Sequence, residues 1–273
     1  LKKYEQNGYA TCYWKGALRT TRSTIENNYI SYTHSGNCDD NYLIIDDCSN
    51  IQNNTLNLFT DSNTCDRIYM MRLYGSDNEE RYTVSNNNMS ISSIFGSSYN
   101  PRGIYLESSA HNRDIYDNTI VNNSNRDAEY LIFNEADNVH IYSNTIEGRF
   151  NTVVQNYGDN LELNNNTFDS NGDDALFFYT DNAINFNVHH NTVSSNSTGA
   201  VRIINESSGN LHNNTFVYEN GDYGLRIESL SDVSVINNIF SGFNIGVDAQ
   251  TETTQIFNNN IWGSDTPFTG DGL

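Results

Sequence analysis

The sequence predicts an all-β solenoid of about ten stacked coils, and three observations predict it. A six-residue unit recurs along the whole 273-residue chain. Its spacing is close to the length of chain that one turn of a strand-built coil consumes. Between the units lie short apolar pieces with strand-like alternation, no helical periodicity and only two prolines in the chain.

The unit is an apolar residue, a variable one, two mostly polar ones ending in Asn, usually Thr, then an apolar residue. It reads IQNNTL at 51–56, IYDNTI at 115–120, LNNNTF at 163–168 and VINNIF at 235–240. Its fourth position is Asn28, Asn54, Asn87, Asn118, Asn144, Asn166, Asn191, Asn214, Asn238 and Asn259 or its neighbour. The steps between them are 26, 33, 31, 26, 22, 25, 23, 24 and 21 residues. A leucine-rich horseshoe has similar repeats but needs a Leu-x-x-Leu-x-Leu frame, which is absent. The two longest steps predict insertions between Asn54 and Asn118, of the kind that decorates the binding face of a repeat protein.

Most units have a strand upstream: YLIID at 42–46, IYLES at 104–108, YLIFN at 130–134, LFFYT at 176–180, VRIIN at 201–205 and LRIES at 225–229. Alternation sends half of each strand inward and half outward. With these strands and the Asn corners, the chain resembles the right-handed parallel β-helix, or pectate-lyase-like, superfamily over residues 17–262. The resemblance implies a right-handed parallel β-helix, with residues 1–16 as a lead-in or cap and 263–273 as a tail or cap. Asn tolerates the left-handed backbone of a tight corner, and its amide can bond to the same residue one coil away, about 4.8 Å along the stack. The asparagines are therefore read as structure and not as ligands. The glycosylation frames at Asn53, Asn165 and Asn213 follow from the same repeat.

Acidic residues outnumber basic ones 34 to 14, for a net charge of −20, which disfavours nucleic acid and anionic membrane surfaces. No apolar run reaches the roughly 18 residues of a membrane span, so no membrane insertion is expected. All lysines, Lys2, Lys3 and Lys15, lie at the start, so a mechanism needing lysine in the body of the chain is excluded. Cys12, Cys38, Cys48 and Cys65 fall in the first quarter, which suggests a disulfide-stapled N-terminal end and an extracellular or cell-surface location. Buried free thiols are the alternative. Cys12 and Cys38 each precede a ladder Asn by 16 residues, so they stand in register one coil apart, leaving Cys48 for Cys65.

Alternation assigns an outward column: Tyr105 and Glu107, Leu131 and Phe133, Val154 and Asn156, Phe177 and Tyr179, Arg202 and Ile204, Arg226 and Glu228, Asp248 and Gln250. Contiguous outward aromatics mark a ligand or partner surface, and rings beside Arg and acids suit sugars. Tyr105, Glu107, Phe133, Phe177, Tyr179 and Glu228 are the candidate substrate-binding residues; an inserted loop or a second chain over this face is the other reading. Asp173 and Asp174 form a Gly-Asp-Asp triplet similar to that of polygalacturonase-type hydrolases, which implies an acid–base pair. The Gly-His-Gly and Arg-Ile-Lys of those enzymes are missing; His189-His190 and Arg226-Ile227-Glu228 stand nearest. Of the paired histidines, one is expected to face inward and one outward.

β-Helix lyases use a basic residue with calcium, which implies Arg202 and Arg226, although arginine is a poor base and better suited to clamping a carboxylate. Calcium is an option that acidic turns such as Asp39-Asp40, Asp46-Asp47 and Asp173-Asp174 could serve, and no cofactor is required. Two functions follow as expectations. One is a secreted protein that binds or cleaves an extracellular polysaccharide, as a lyase or glycoside hydrolase if it is an enzyme. The other is a non-catalytic module of a fibre, tailspike or surface layer that self-associates through the stack or its outward face, with Trp262 and Phe268 closing or docking the last coil.

Overall fold

The computed structural model describes residues 3–8, 15–34, 41–60, 68–75, 80–93, 101–124, 127–170, 176–196 and 198–270. Among them the chain is a parallel β-solenoid of about nine turns without a helix. This agrees with the expected parallel β-helix. Each coil supplies three strands, and each strand pairs in parallel with its counterparts in adjoining coils. The first face runs from Lys15–Thr21 to Thr266–Thr269, the second from Thr24–Glu26 to Gln255–Phe257, and the third from Lys3–Gly8 to Asn260–Trp262. The second face is a ten-stranded sheet. The first and third join in a twenty-stranded sheet, because Thr215–Ile227 and Ile239–Ala249 pass from one face to the other without a break.

In-register stacking places each residue on its equivalent, so the core consists of columns. Ile25, Ile51, Val84, Ile115, Ile141, Leu163, Val188, Leu211 and Val235 form the buried column of the second face. The facing column of the third face carries Phe168, Val193, Phe216 and Phe240 in its later coils, and Phe216 stacks on Phe240 at 5.2 Å. Each such side chain contributes about 1.5–3 kcal/mol by leaving water.

The corner between the second and third faces divides its work between two neighbouring residues. The left-handed backbone belongs to the residue before each ladder Asn: Asn27, Asn53, Asn86, Asp117, Ser143, Asn165, His190, Asn213, Asn237 and Asn258, with φ between 53° and 57°. Their side chains are exposed or half-buried, and Asn53, Asn165 and Asn213, which open the glycosylation frames, are exposed. The ladder Asn follows and turns inward. Asn166 is typical: its backbone N–H and Nδ2 both lie 3.0 Å from Asn191 Oδ1 in the next coil. Nδ2 is also 3.0 Å from the carbonyls of Ile141 and Asn164. Its two hydrogens are thus shared among three acceptors, and no part of the buried amide is left unsatisfied. The pattern repeats from Asn28 to Asn259, so Asn259 and not its neighbour completes the ladder. His189 and His190 both lie on the outer side of this corner, one half-buried and one exposed. The expectation that one faces inward is corrected, because Asn191 takes the inward place.

A second departure from simple alternation lies on the first face. In each coil one residue is skipped between paired neighbours, so two successive side chains point inward. The pairs include Leu43 and Ile44, Met70 and Met71, Leu131 and Ile132, Val153 and Val154, Phe177 and Phe178. Where Phe240 fills the space beneath, the skipped residue is Gly224; a Cβ there would lie 2.7 Å from the ring. Leu131, Val154, Asn156 and Phe177 are therefore buried and not outward, as strict alternation had predicted. Phe177 packs between Phe168 at 6.3 Å and Phe216 at 6.0 Å. Asn156 belongs to a short inner ladder, accepting from Asn134 at 2.7 Å and donating to Thr180 at 3.3 Å.

Of the four cysteines only Cys48 is described; it is buried, with φ 58°. Both predicted bridges include residues outside the described set. Near this end an ionic clamp spans the coils. Arg113, fully buried, reaches Asp46 Oδ2 at 3.4 Å and donates to the carbonyls of Ser49 and Tyr74. Asp46 also accepts from Thr20 Oγ1 and the Ser49 N–H. Burial pulls the Arg113 guanidinium below its ordinary pKa, against the attraction of Asp46.

Two stability measurements test these assignments. Asn166→Ala takes the side-chain donor from the Ile141 carbonyl and the acceptor from the Asn144 backbone N–H and should lower unfolding free energy by about 2–3 kcal/mol in denaturant melts, whereas Asn165→Gly, at a left-handed residue, should be near neutral. Arg113→Met strands the buried Asp46 and should cost about 3–5 kcal/mol, most of it recovered in the Arg113→Met/Asp46→Leu double variant.

Candidate functional site

The bend in the first face fixes which side chains reach its outer surface. One outer column runs Arg72, Tyr105, Phe133, Gln155, Tyr179, Arg202, Arg226 and Asp248, each in register with the next. Two residues further along the strands come Glu107, Glu135, Tyr157, Asp181 and Glu228; three residues before it, across the bend, come Tyr42, Tyr69, Arg102 and Tyr130. Tyr105, Glu107, Phe133, Tyr179, Arg202, Arg226 and Glu228 thus share one surface, as the sequence predicts. Phe177 does not. Asp173 and Asp174 lie outside the described residues, just before the strand Leu176–Asp181.

The aromatic members form a continuous ribbon across six coils. Tyr42 stacks on Tyr69 at 4.9 Å, Tyr69 on Tyr105 at 5.9 Å, and Tyr105 meets Phe133 edge-on at 5.5 Å. Phe133 touches Tyr157 at 5.3 Å, and Tyr157 meets Tyr179 at 6.3 Å. At about 4.8 Å per coil the ribbon is about 24 Å long. Its two halves differ in exposure. Tyr42, Tyr69 and Tyr130 are only 1%, 3% and 4% exposed, whereas Tyr157 is 36% exposed and Tyr105, Phe133 and Tyr179 are half-buried. Tyr42, Tyr69, Tyr130 and Tyr157 are members that simple alternation missed. The one-residue bend shifts their phase, and the first two belong to coils whose outer faces had not been assigned.

The flanking charges come in pairs. Arg72 contacts Glu107 and donates to the Tyr42 phenol at 3.0 Å; Arg102 contacts Glu129 and donates to the Tyr69 phenol at 2.6 Å. Arg202 grips Glu228 through two nitrogens at 3.1 and 3.4 Å. Arg226 bonds Asp248 at 3.0 Å with its guanidinium 4.3 Å from the Tyr223 ring centre. The hydrogen bond to Glu228 raises the Arg202 pKa, more than burial lowers it. This guanidinium is a fixed cation and hydrogen-bond donor, not a proton acceptor. Burial, then bonding to Glu135, raises the Tyr105 phenol, and burial with the charge of Asp181 pushes Tyr179 up to about 12.

No three His, Cys, Asp or Glu side chains among the described residues are set to hold a metal ion. Asp46, one of the acidic residues considered for calcium, is committed to Thr20, Ser49 and Arg113. No protein-family model matches the sequence, and no curated protein is similar enough to it to be called a relative.

Tyr179 provides a check on this geometry. In an ultraviolet pH titration the signal lost in Tyr179→Phe should ionise near pH 12, and Asp181→Asn should bring it back toward the ordinary tyrosine value near 10.

Proposed function

We propose that this chain is a carbohydrate-active protein of the cell exterior that binds a polysaccharide along the aromatic ribbon of the first face. The observation carrying this reading is the accessible run of four rings, Tyr105, Phe133, Tyr157 and Tyr179, each touching the next. Rings on successive coils offer apolar faces to sugars, and the adjoining Arg and acid groups supply hydrogen bonds to hydroxyls. Each arginine of the strip is paired with an acid, so the strip lacks the uncompensated positive charge that nucleic acid would need. Gly-Asp-Asp at 172–174 precedes the Tyr179 strand and is the acid–base candidate if the protein also cleaves its ligand. Arg202 and Arg226 then serve as carboxylate clamps.

A second reading is a non-catalytic fibre or surface-layer module, favoured by apolar side chains at the far end of the stack. Phe257 is 55%, Trp262 74% and Phe268 41% exposed there. Incubation with a panel of polysaccharides, with and without calcium, separates the readings. Retention on one polysaccharide, weakened about 5- to 30-fold by Tyr157→Ala or Tyr179→Ala, is the expected result. New reducing ends that vanish in Asp173→Asn and Asp174→Asn would add hydrolysis, and new ends with unsaturated-uronate absorbance would indicate a lyase. Retention on none of the panel, with concentration-dependent assembly, would favour the module.

A further inference from the structure

Each arginine of the aromatic strip already has an acidic partner: Arg72 has Glu107, Arg102 has Glu129, Arg202 has Glu228 and Arg226 has Asp248. Two acids of the same strip are left over. Among the described residues neither Glu135 nor Asp181 meets an arginine or a histidine, and their carboxylates are held by neutral donors. Glu135 Oε2 accepts from the Tyr105 phenol at 2.8 Å. Asp181 Oδ2 accepts from the Tyr179 phenol at 3.3 Å, and its Oδ1 from the Asn182 and Asn205 amides, both at 2.8 Å.

Register decides where these two charges stand. Glu135, Tyr157 and Asp181 are equivalent residues of three successive coils, so one carboxylate lies on either side of the most exposed ring of the strip. The backbones that carry the two acids are about 10 Å apart along the stack. Gln155 Nε2 donates to the Tyr157 phenol at 2.7 Å, and the Tyr157 ring touches Phe133 and Tyr179. Two residues beyond Tyr157, Asp159 adds a third carboxylate, bonded to the Ile184 N–H at 2.9 Å.

Aromatic faces between uncompensated carboxylates select for a particular group. The electron-rich face of a Phe or Tyr ring attracts a cation, and an ionised carboxylate accepts hydrogen bonds without donating any. A primary ammonium satisfies both. A uronate would instead meet unneutralised acids on a chain that already carries −20, and a neutral sugar would leave both charges unmatched. The nearest arginine along the column, Arg202, is offset by Glu228. We propose that the polysaccharide bound along this strip carries free amino groups, as a deacetylated amino-sugar polymer does, and that Glu135 and Asp181 select its ammonium beside the Tyr157 ring. This rests on the polysaccharide reading above and narrows it to one substrate class. A uronate polymer clamped by Arg202 and Arg226 is the competing class.

Calorimetric titration of the full chain at pH 5.5, between the ordinary ranges of carboxylate and amine, is the test. The ligands are a soluble glucosamine oligomer, its N-acetylated counterpart, an oligogalacturonate, and a lysine oligopeptide that brings positive charge without sugar rings. The free-amine oligomer should bind about 10-fold or more tighter than each of the others, with the preference narrowing as salt is raised. Glu135→Gln and Asp181→Asn should each weaken it about 5- to 30-fold while leaving the N-acetylated form and the thermal melt unchanged. Asp232→Asn, which removes an exposed acid from the second face, should change nothing and so separates this site from the general charge of the chain. Equal affinity for the two glucosamine forms, tighter binding of the galacturonate, peptide binding as tight as that of the amino sugar, or no loss in either carboxylate variant overturns the amine assignment. Binding of the N-acetylated or galacturonate oligomer alone would do so while leaving the polysaccharide reading standing. Binding of none of the oligomers also overturns it, and the wider panel then decides the polysaccharide reading by itself.

Discussion

The structure depends on a buried amide that is satisfied only by its neighbours. A side-chain amide inside an apolar core is costly unless each of its polar atoms finds a partner. Here the partners are two carbonyls and the same amide one coil further on, so one asparagine is tolerable only because the next exists. The hydrophobic columns provide most of the driving force, but they would accept sliding by a residue or a rotation of the coil. The amide contacts would not. Register is therefore set at the corner, and the outward positions of all three faces follow from it.

That dependence explains which features could be read from the sequence. The repeat is visible because the ladder constrains residue identity, and its period, strand content and parallel stacking follow. The corner was legible as a whole but not in its division of labour, since two consecutive asparagines look alike in a string while one supplies the backbone bend and the other the buried amide. The outer face of the first sheet was only partly legible. Tyr105, Phe133, Tyr179, Arg202 and Arg226 were placed correctly by counting in twos. Phe177, Leu131 and Val154 were misplaced because each first-face strand has one residue that turns inward out of turn, and nothing in LFFYT distinguishes that residue from its neighbours. Tyr157 was lost by the same shift.

The bend also determines the character of the candidate surface. By turning two adjacent side chains inward, it enlarges the core beneath the first face and concentrates the outer aromatics near one line. Without it, the phenols would alternate with aliphatic side chains and the rings would not touch from coil to coil. The arginines then find acids one coil away along the same line, at the spacing that parallel strands impose. Packing inside and recognition outside are thus two effects of one irregularity, located where a glycine, an alanine or a phenylalanine is chosen by the space below.

The ladder also has a direction. From Asn54 to Asn238 each side-chain amide donates to the ladder Asn of the later coil and accepts from that of the earlier one. Backbone bonds between parallel strands point both ways and nearly cancel, but the side-chain amide dipoles all add. Over a stack of about 43 Å they leave partial positive charge at the Asn259 end and partial negative charge at the Asn28 end. The solenoid is thus a weakly polarised rod whose two ends are electrically distinct, whatever the sign of its surface.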